Sequence, residues 1–536
     1  MDNSDNKFNR QGGNDDNCMK NNCSKSSNHR ENRHDEESNN LSNQQFPLVS
    51  SNNNEIDSSG EASSANRGFS SPENSHYREF TEKQIARYCG YNPVRDFNRC
   101  LAQSINAVPS QWTRAQADRI QINASNTAPL IMEPFPRISP DLWIWDMWPL
   151  MEKDGSIAVL PGGWRVLFAL SVPRSVLPGK RHDVARISYF YTRDGVNWIQ
   201  GGYVFEEGTA LGSRQWAGSA MIDQGRIYYF YTATGRRGET QITYEQRIAL
   251  ASSGFISNKD GVQLVDFSPH EIILEPDGVL YQTEEQSSGG IIYAFRDPFF
   301  FKDPATGCEY LLFEGNIAGR SGTSINCGPD VPPEAAEFTG NIGIALLRNN
   351  SYTSWQLLPA LLEAGCPNQQ TERPHIIVRN GSYYLFTVSH ASTFAPGVTG
   401  PDGLYGFVAG SLRGNYRPLN NSALVISNPP SEPYQAYSWL VLPDFSVLSF
   451  IDNFDLQGIP IEDVGFLPES FQYAHFGGTL AQTLQLAVSG ATTEIVDVYA
   501  YGLMMVSQTE SPKCYCKNNV ACNPHKPCHC QHCNKK

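Results

Sequence analysis

The sequence predicts an all-β protein with short N-terminal helices and disordered ends. From about residue 140 onward, apolar and aromatic runs of roughly four to seven residues are broken by turn dipeptides, the pattern of antiparallel hairpins. Ile187 to Tyr191 is followed by Asp194-Gly195 and Trp198; Arg226 to Thr232 follows Gly225, Tyr310 to Phe313 follows Gly307, and Tyr383 to Val388 follows Asn380-Gly381. Composition agrees, with 44 Gly and 34 Pro for turns and 24 Tyr and 27 Phe for strands. No helical pattern alternates with these hairpins, which points to a propeller or a large sandwich rather than a parallel sheet. The strand pattern alone does not choose between the two.

Residues 1–79 are dominated by Asn, Ser, Asp, Glu and Arg, with too few apolar side chains to offset the entropy of ordering a backbone, and are read as disordered. The stretch from Phe80 to Ile122 carries a helical rhythm, as in Trp112 to Ala117, and predicts one or two short helices before a Pro-rich segment ending at Pro140. The catalytic domain is drawn as 80–510 and a Cys/His-rich tail as 511–536. No apolar run near Met1 has the length of a signal peptide, and none anywhere reaches the length of a membrane span. The net charge of −14 argues against nucleic acid or anionic membranes as partners, since both require a cationic footprint.

Three segments place a carboxylate among residues that a strand does not demand. In Trp143-Ile144-Trp145-Asp146-Met147-Trp148-Pro149 one aspartate lies among three indoles, on which a sugar can stack; alone, it reads equally as a turn cap before proline. Phe295-Arg296-Asp297-Pro298 reads alone as an ion pair ending a strand, and Gln370-Thr371-Glu372-Arg373-Pro374-His375 as a solvated loop. Together they supply the equipment of glycosyl transfer, in which one carboxylate attacks, one donates and then recovers a proton, and a third steadies the oxocarbenium-like transition state.

With WDMWPL at Trp145–Leu150, QWAGSA at Gln215–Ala220, FRDP at Phe295–Pro298, TERPH at Thr371–His375 and GLYGFV at Gly403–Val408, in that order, the chain resembles glycoside hydrolase family 68, the levansucrases, inulosucrases and related β-fructofuranosidases. The resemblance runs from about Ser110 to Ser507 and implies a five-bladed β-propeller with an acidic pocket at one end of its axis. By the same resemblance, Asp146 is the nucleophile, Asp297 the transition-state stabiliser and Glu372 the acid/base. Trp145 and Trp216 wall the pocket, Arg296, Arg373 and Gln370 line it, and His390 and Tyr437 lie toward the acceptor. An acid that starts each cycle protonated is expected in a drier, more acid-crowded place than the nucleophile, so Glu372 is expected to hold its proton more firmly than Asp146.

The implied reaction is fructosyl transfer from sucrose to fructan, sucrose or water. The alternatives are a mainly hydrolytic β-fructofuranosidase and a carbohydrate-binding propeller without catalysis. Two departures from the family pattern bear on this. Ala217 stands where a serine hydroxyl commonly steadies the nucleophile, so another hydroxyl or a water is expected there. Gln369 stands where many members have a calcium-binding aspartate; an amide is a weak replacement for a carboxylate toward a hard cation, and no cofactor or structural calcium is expected. Resemblance also implies a Cys327–Cys366 disulfide beside the pocket, while Cys308 reads as a strand-end thiol and Cys89 and Cys100 as core thiols of the helical segment. In the tail, Cys514, Cys516, Cys522, Cys528, Cys530 and Cys533, interspersed with His525, His529 and His532, are suited to a soft metal or to intermolecular disulfides on a surface, the third reading being a plain disordered tail. Sucrose polymerisation and a cysteine-rich end both favour an extracellular or cell-surface location, with the cytoplasm as the alternative.

Overall fold

The computed structural model describes residues 93–505 apart from 289. The segment 1–79 read as disordered from sequence, Cys89 and the six tail cysteines lie outside the described residues, as do the outer limits of the domain drawn at 80 and 510. Helix α1 (Pro93–Ser104), strand β1 (Ser110–Gln111) and a single turn α2 (Arg114–Ala117) lead in. Five blades follow in chain order. The first holds β2 (Leu142–Glu152), β3 (Arg165–Pro173), β4 (Arg186–Thr192) and β5 (Ile199–Tyr203). The second holds β6 (Arg214–Asp223), β7 (Arg226–Thr234), β8 (Gln246–Asn258), β9 (Gly261–Val265) and β10 (Glu271–Leu274). The third holds β11 (Phe295–Lys302), β12 (Glu309–Asn316), β13 (Thr339–Leu347) and β14 (Trp355–Gly365). The fourth holds β15 (Glu372–Arg379), β16 (Ser382–Ser389), β17 (Gly403–Ala409), β18 (Arg417–Pro418) and β19 (Leu424–Ser427). The fifth holds β20 (Ala436–Val441), β21 (Ser446–Asn453), β22 (Phe476–Leu480), β23 (Gln482–Ser489) and β24 (Thr492–Tyr501), with short helices α3 (Ile461–Val464) and α4 (Glu469–Ala474) between β21 and β22.

Within each blade the main strands run antiparallel, as the hairpin pattern requires. The first strands β2, β6, β11, β15 and β20 are neighbours in a closed ring, so the fold is a five-bladed β-propeller. β2 and β6 also pair in parallel at Leu150–Glu152 and Ala220–Ile222, which joins two blades into one sheet. The inner strands are buried along most of their length because both their faces are covered by adjacent blades.

The leading segment clamps the third and fourth blades. β1 pairs in parallel with β14, and the Trp112 indole, 1% exposed, packs against Phe394, Tyr405 and Phe407. Truncating a tryptophan buried to this degree costs about 3–5 kcal/mol. α1 is tied to the start of β12 by a Cys100–Cys308 disulfide, Cα atoms 6.1 Å apart, across 208 residues of sequence. The sequence does not pair these cysteines; only the docking of α1 onto the third blade brings them together.

Candidate active site

Each inner strand is interrupted at the same level. The pairing register with the second strand of the blade shifts between Trp145 and Met147, Trp216 and Gly218, Arg296 and Phe299, Glu372 and His375, and Tyr437 and Leu440. Each shift is a bulge that re-aims side chains toward the axis. At four of the five, a residue other than glycine takes a left-handed backbone: Asp146 (φ 44°), Asp297 (59°), Arg373 (51°) and Ser438 (58°). Such conformations cost of order 1–3 kcal/mol each, and their repetition around one axis marks a built site. Ala217 holds the equivalent place on β6. The glycine after it has a steric reason, since a side chain at Gly218 would collide with the Phe230 carbonyl.

The bulges open into a cavity of about 770 Å³ lined by Trp145, Asp146, Trp216, Arg296, Asp297, Gln370, Glu372, Arg373, His390 and Tyr437. Every candidate site residue of the catalytic domain therefore lies in one wall, and the three carboxylates come from the first, third and fourth blades. Below them the axis narrows to an apolar void of about 20 Å³ around Trp148, Phe299 and Leu440. Neither Asp146 nor Glu372 fulfils its isolated reading: Asp146 lies within β2 rather than in a turn, and Glu372 opens β15 rather than a solvated loop.

Two arginines organise the acids. The Arg296 guanidinium meets Glu314 at 2.7 Å and Glu372 at 3.1 Å. The Arg373 backbone N–H donates to Asp297 Oδ2 (3.0 Å), while its guanidinium lies 3.7 Å from Asp146 and donates to Ser438 Oγ (2.6 Å) and the Met147 carbonyl (2.7 Å). Ser438 also hydrogen-bonds Asp146 and lowers its pKa. The hydroxyl missing at Ala217 is thus supplied from the fifth blade.

Glu372 receives a hydrogen bond from the Tyr437 hydroxyl (2.6 Å). The Tyr437 ring is stacked on His390 with centroids 3.8 Å apart and planes 10° apart, and His390 Nδ1 lies 2.9 Å from Asp402 Oδ2. Asp402 Oδ1 accepts the Ala391 N–H at 2.7 Å.

Burial raises Asp146 above the ordinary carboxylate range, opposed by Arg373, and pushes Asp297 up to about 6 against Arg296 and Arg373. Burial acts upward on Glu372 too, but His390, Arg296 and the Tyr437 hydroxyl outweigh it, and Glu372 titrates below its usual value. This reverses the expectation that the acid/base holds its proton more firmly than the nucleophile. The sequence displays the acids; the stacked His390–Tyr437 pair is assembled only by the fold. Burial lowers His390, but Asp402 outweighs it and raises the ring to about 9.

Cys327 and Cys366 form a disulfide, Cα atoms 5.6 Å apart, six residues before Glu372. Gln369 faces inward: its side-chain oxygen accepts the Thr339 N–H (2.7 Å) and its carbonyl accepts from Asn316 (3.1 Å). Among the described residues no group of three or more His, Cys, Asp or Glu side chains is arranged to hold a metal ion. Sequence reasoning missed Glu314, Asp402, Ser438, Arg181 and His182. Ser438 follows Tyr437 as Arg373 follows Glu372, so aligning the five inner strands on their bulges would have found it.

A ring of inward-turned carboxylates, arginines and indoles at one end of a propeller axis defines a carbohydrate-processing enzyme of the glycosidase type. Residues 102–505 match the levansucrase/invertase family, and the chain belongs to that family, glycoside hydrolase family 68. It is a fructosyltransferase-type glycoside hydrolase. The chain is 39% identical to levansucrase LscA of Pseudomonas savastanoi pv. glycinea over 428 residues, which cover 74% of this chain and 97% of that one. Among solved structures, the inulosucrase from Halalkalicoccus jeotgali bound to kestose superposes with a TM-score of 0.71 at 50% identity, covering 76% of this chain and 99% of that one. The β-fructofuranosidase catalytic domain from Microbacterium saccharophilum K-1 gives 0.66 at 32% identity, covering 76% and 95%.

Proposed function

We propose that the chain cleaves sucrose with retention, forming a fructosyl-enzyme on Asp146, releasing glucose and passing fructose to a fructan, to sucrose or to water. The observation that carries this is the convergence of Asp146, Asp297 and Glu372 on one cavity, with each acid held by an arginine. Asp146 attacks the anomeric carbon, with Arg373 and Ser438 opposing the upward push of burial on its carboxyl. Asp297 accepts hydrogen bonds from fructosyl hydroxyls that strengthen as positive charge develops. Glu372 protonates the departing glucosyl oxygen and then deprotonates the acceptor. Bound sucrose excludes water from Glu372, which favours its neutral form at the moment the proton is needed.

Transfer rather than hydrolysis is supported by the levansucrase and inulosucrase relatives. Two disulfides in the catalytic domain favour an oxidising compartment outside the cytoplasm. The tail is given no part in catalysis, its cysteines being suited to a soft metal or to surface association, and no structural calcium is required.

Incubation with sucrose tests the reading. Glucose in excess of free fructose, with oligomer or polymer formed, is the expected result; equal glucose and fructose would mark a hydrolase, and no glucose would leave a binding propeller. Asp146→Ala, folded by circular dichroism, should release no glucose, and undiminished release would remove Asp146 from its role.

A further inference from the structure

Thr232 lies on β7, the second strand of its blade, and does not line the cavity, yet it touches the looped-out residues of two inner strands. It is fully buried, at 0% exposure. Its hydroxyl donates to the Ala217 carbonyl at 3.0 Å and accepts the Asp297 backbone N–H at 3.0 Å. The partners fix these directions: a carbonyl can only accept, an amide N–H can only donate, and a hydroxyl has one proton and free lone pairs. Thr232 therefore joins the bulge of the second blade to the bulge of the third.

Asp297 needs such a partner. The β11–β12 ladder runs through Arg296 and Glu314 and resumes at Phe299 and Leu312, so the Asp297 N–H is left out of it. The backbone there is left-handed at φ 59°, a conformation that an aspartate keeps only where its surroundings hold it. The carboxyl is gripped from the fourth blade, where the Arg373 N–H donates to Oδ2 at 3.0 Å. Thr232 holds the backbone of Asp297, and Arg373 holds its side chain. The fourth blade repeats the arrangement: Thr387, on the second strand β16, donates its hydroxyl to the Glu372 carbonyl at 2.8 Å.

We propose that Thr232 is a positioning residue for sucrose cleavage, its hydroxyl fixing the Asp297 bulge so that the carboxylate meets the fructosyl unit as positive charge develops. The proposal rests on the sucrose reading above and on the role given there to Asp297. The rival explanation is a hydroxyl that serves stability alone. The two differ in whether turnover follows the hydroxyl or follows stability.

The test compares Thr232→Ser, Thr232→Ala and Thr232→Val, each checked for folding at 25 °C by circular dichroism, in melting temperature and in kcat and KM for glucose release. Ser and Ala both lack the methyl group and differ only in the hydroxyl, while Val keeps the shape of threonine without it. Loss of one hydrogen bond that orients a reacting group corresponds to about a tenfold fall in rate. Ala and Val should each lower kcat by about tenfold with KM within about threefold, because Asp297 acts in the transition state. Ser should melt lower than the wild type yet keep kcat within about threefold. Wild-type kcat in Ala or Val would overturn the proposal, as would Ser turning over as slowly as Ala, or KM rising at unchanged kcat. Should Val not fold, Ser against Ala decides alone. Two further proteins separate the failures. No glucose from the unaltered chain would remove the functional reading and this proposal together, and a fully active Asp297→Asn would remove the role of Asp297 and this proposal with it. An active unaltered chain, an impaired Asp297→Asn and indifferent Thr232 variants would remove this proposal alone.

Discussion

Asp402 touches none of the catalytic carboxylates, yet Asp402→Asn should move the pH profile of sucrose cleavage. The wild-type carboxylate holds His390 near a pKa of about 9. At pH 7.5 a group with that value is protonated by about thirty to one. With asparagine in its place, the chief upward influence on His390 is lost and burial pulls the ring down, with Glu372 and Asp452 still acting upward. A smaller share of molecules then carries the imidazolium at pH 7.5. That imidazolium is the largest influence holding Glu372 down. Its removal raises Glu372, so the acid keeps its proton to higher pH. The limb of kcat/KM that reports Glu372 in the free enzyme should therefore shift to higher pH, while the limb set by Asp146 moves little. Initial rates of glucose release across pH 2.5 to 9, at constant ionic strength, measure both limbs. A Glu372 limb that stays in place or moves downward would refute the chain of influence from Asp402 through His390 to Glu372.

Other outcomes follow from the same geometry. Ser438→Ala removes a hydrogen bond that lowers Asp146, so its pKa should rise and the acid limb should move to higher pH, with kcat reduced roughly 10- to 100-fold and KM little changed. Replacing Cys100 and Cys308 together by serine releases a 208-residue closure, worth at most about 5 kcal/mol by loop entropy; calorimetry should show a melting temperature lower by several degrees, with activity at 25 °C retained. Because the Gln369 amide oxygen is already engaged by Thr339, treatment with a chelator should change neither initial rate nor melting temperature.

The legible part of the site is the part carried by local strings. WDMWP, FRDP and TERPH each combine a carboxylate with neighbours unsuited to a plain strand, and the fold brings all three to one cavity. The hairpins were legible for the same local reason: β4, β7, β12 and β16 each contain a run bounded by turn residues. Ser438, Asp402 and Thr232 were not legible. A serine, an aspartate before glycine and a threonine in a strand each have an ordinary local explanation, and their parts depend on Asp146, His390 and Asp297, which lie 292, 12 and 65 positions away in sequence.

By itself, then, the sequence determined a β-rich chain with turn-punctuated strands and three carboxylates set among indoles and arginines, because period, turn chemistry and residue type are properties of neighbours along the chain. Blade number was reached only through resemblance, and the inner ring of β2, β6, β11, β15 and β20 displays it directly. Tertiary structure alone decided the aligned bulges, the Ser438 hydroxyl that serves Asp146, the Cys100–Cys308 tie and the direction in which Glu372 titrates. Each is set by groups far apart in sequence, and a pKa, like a disulfide, depends on distance in space.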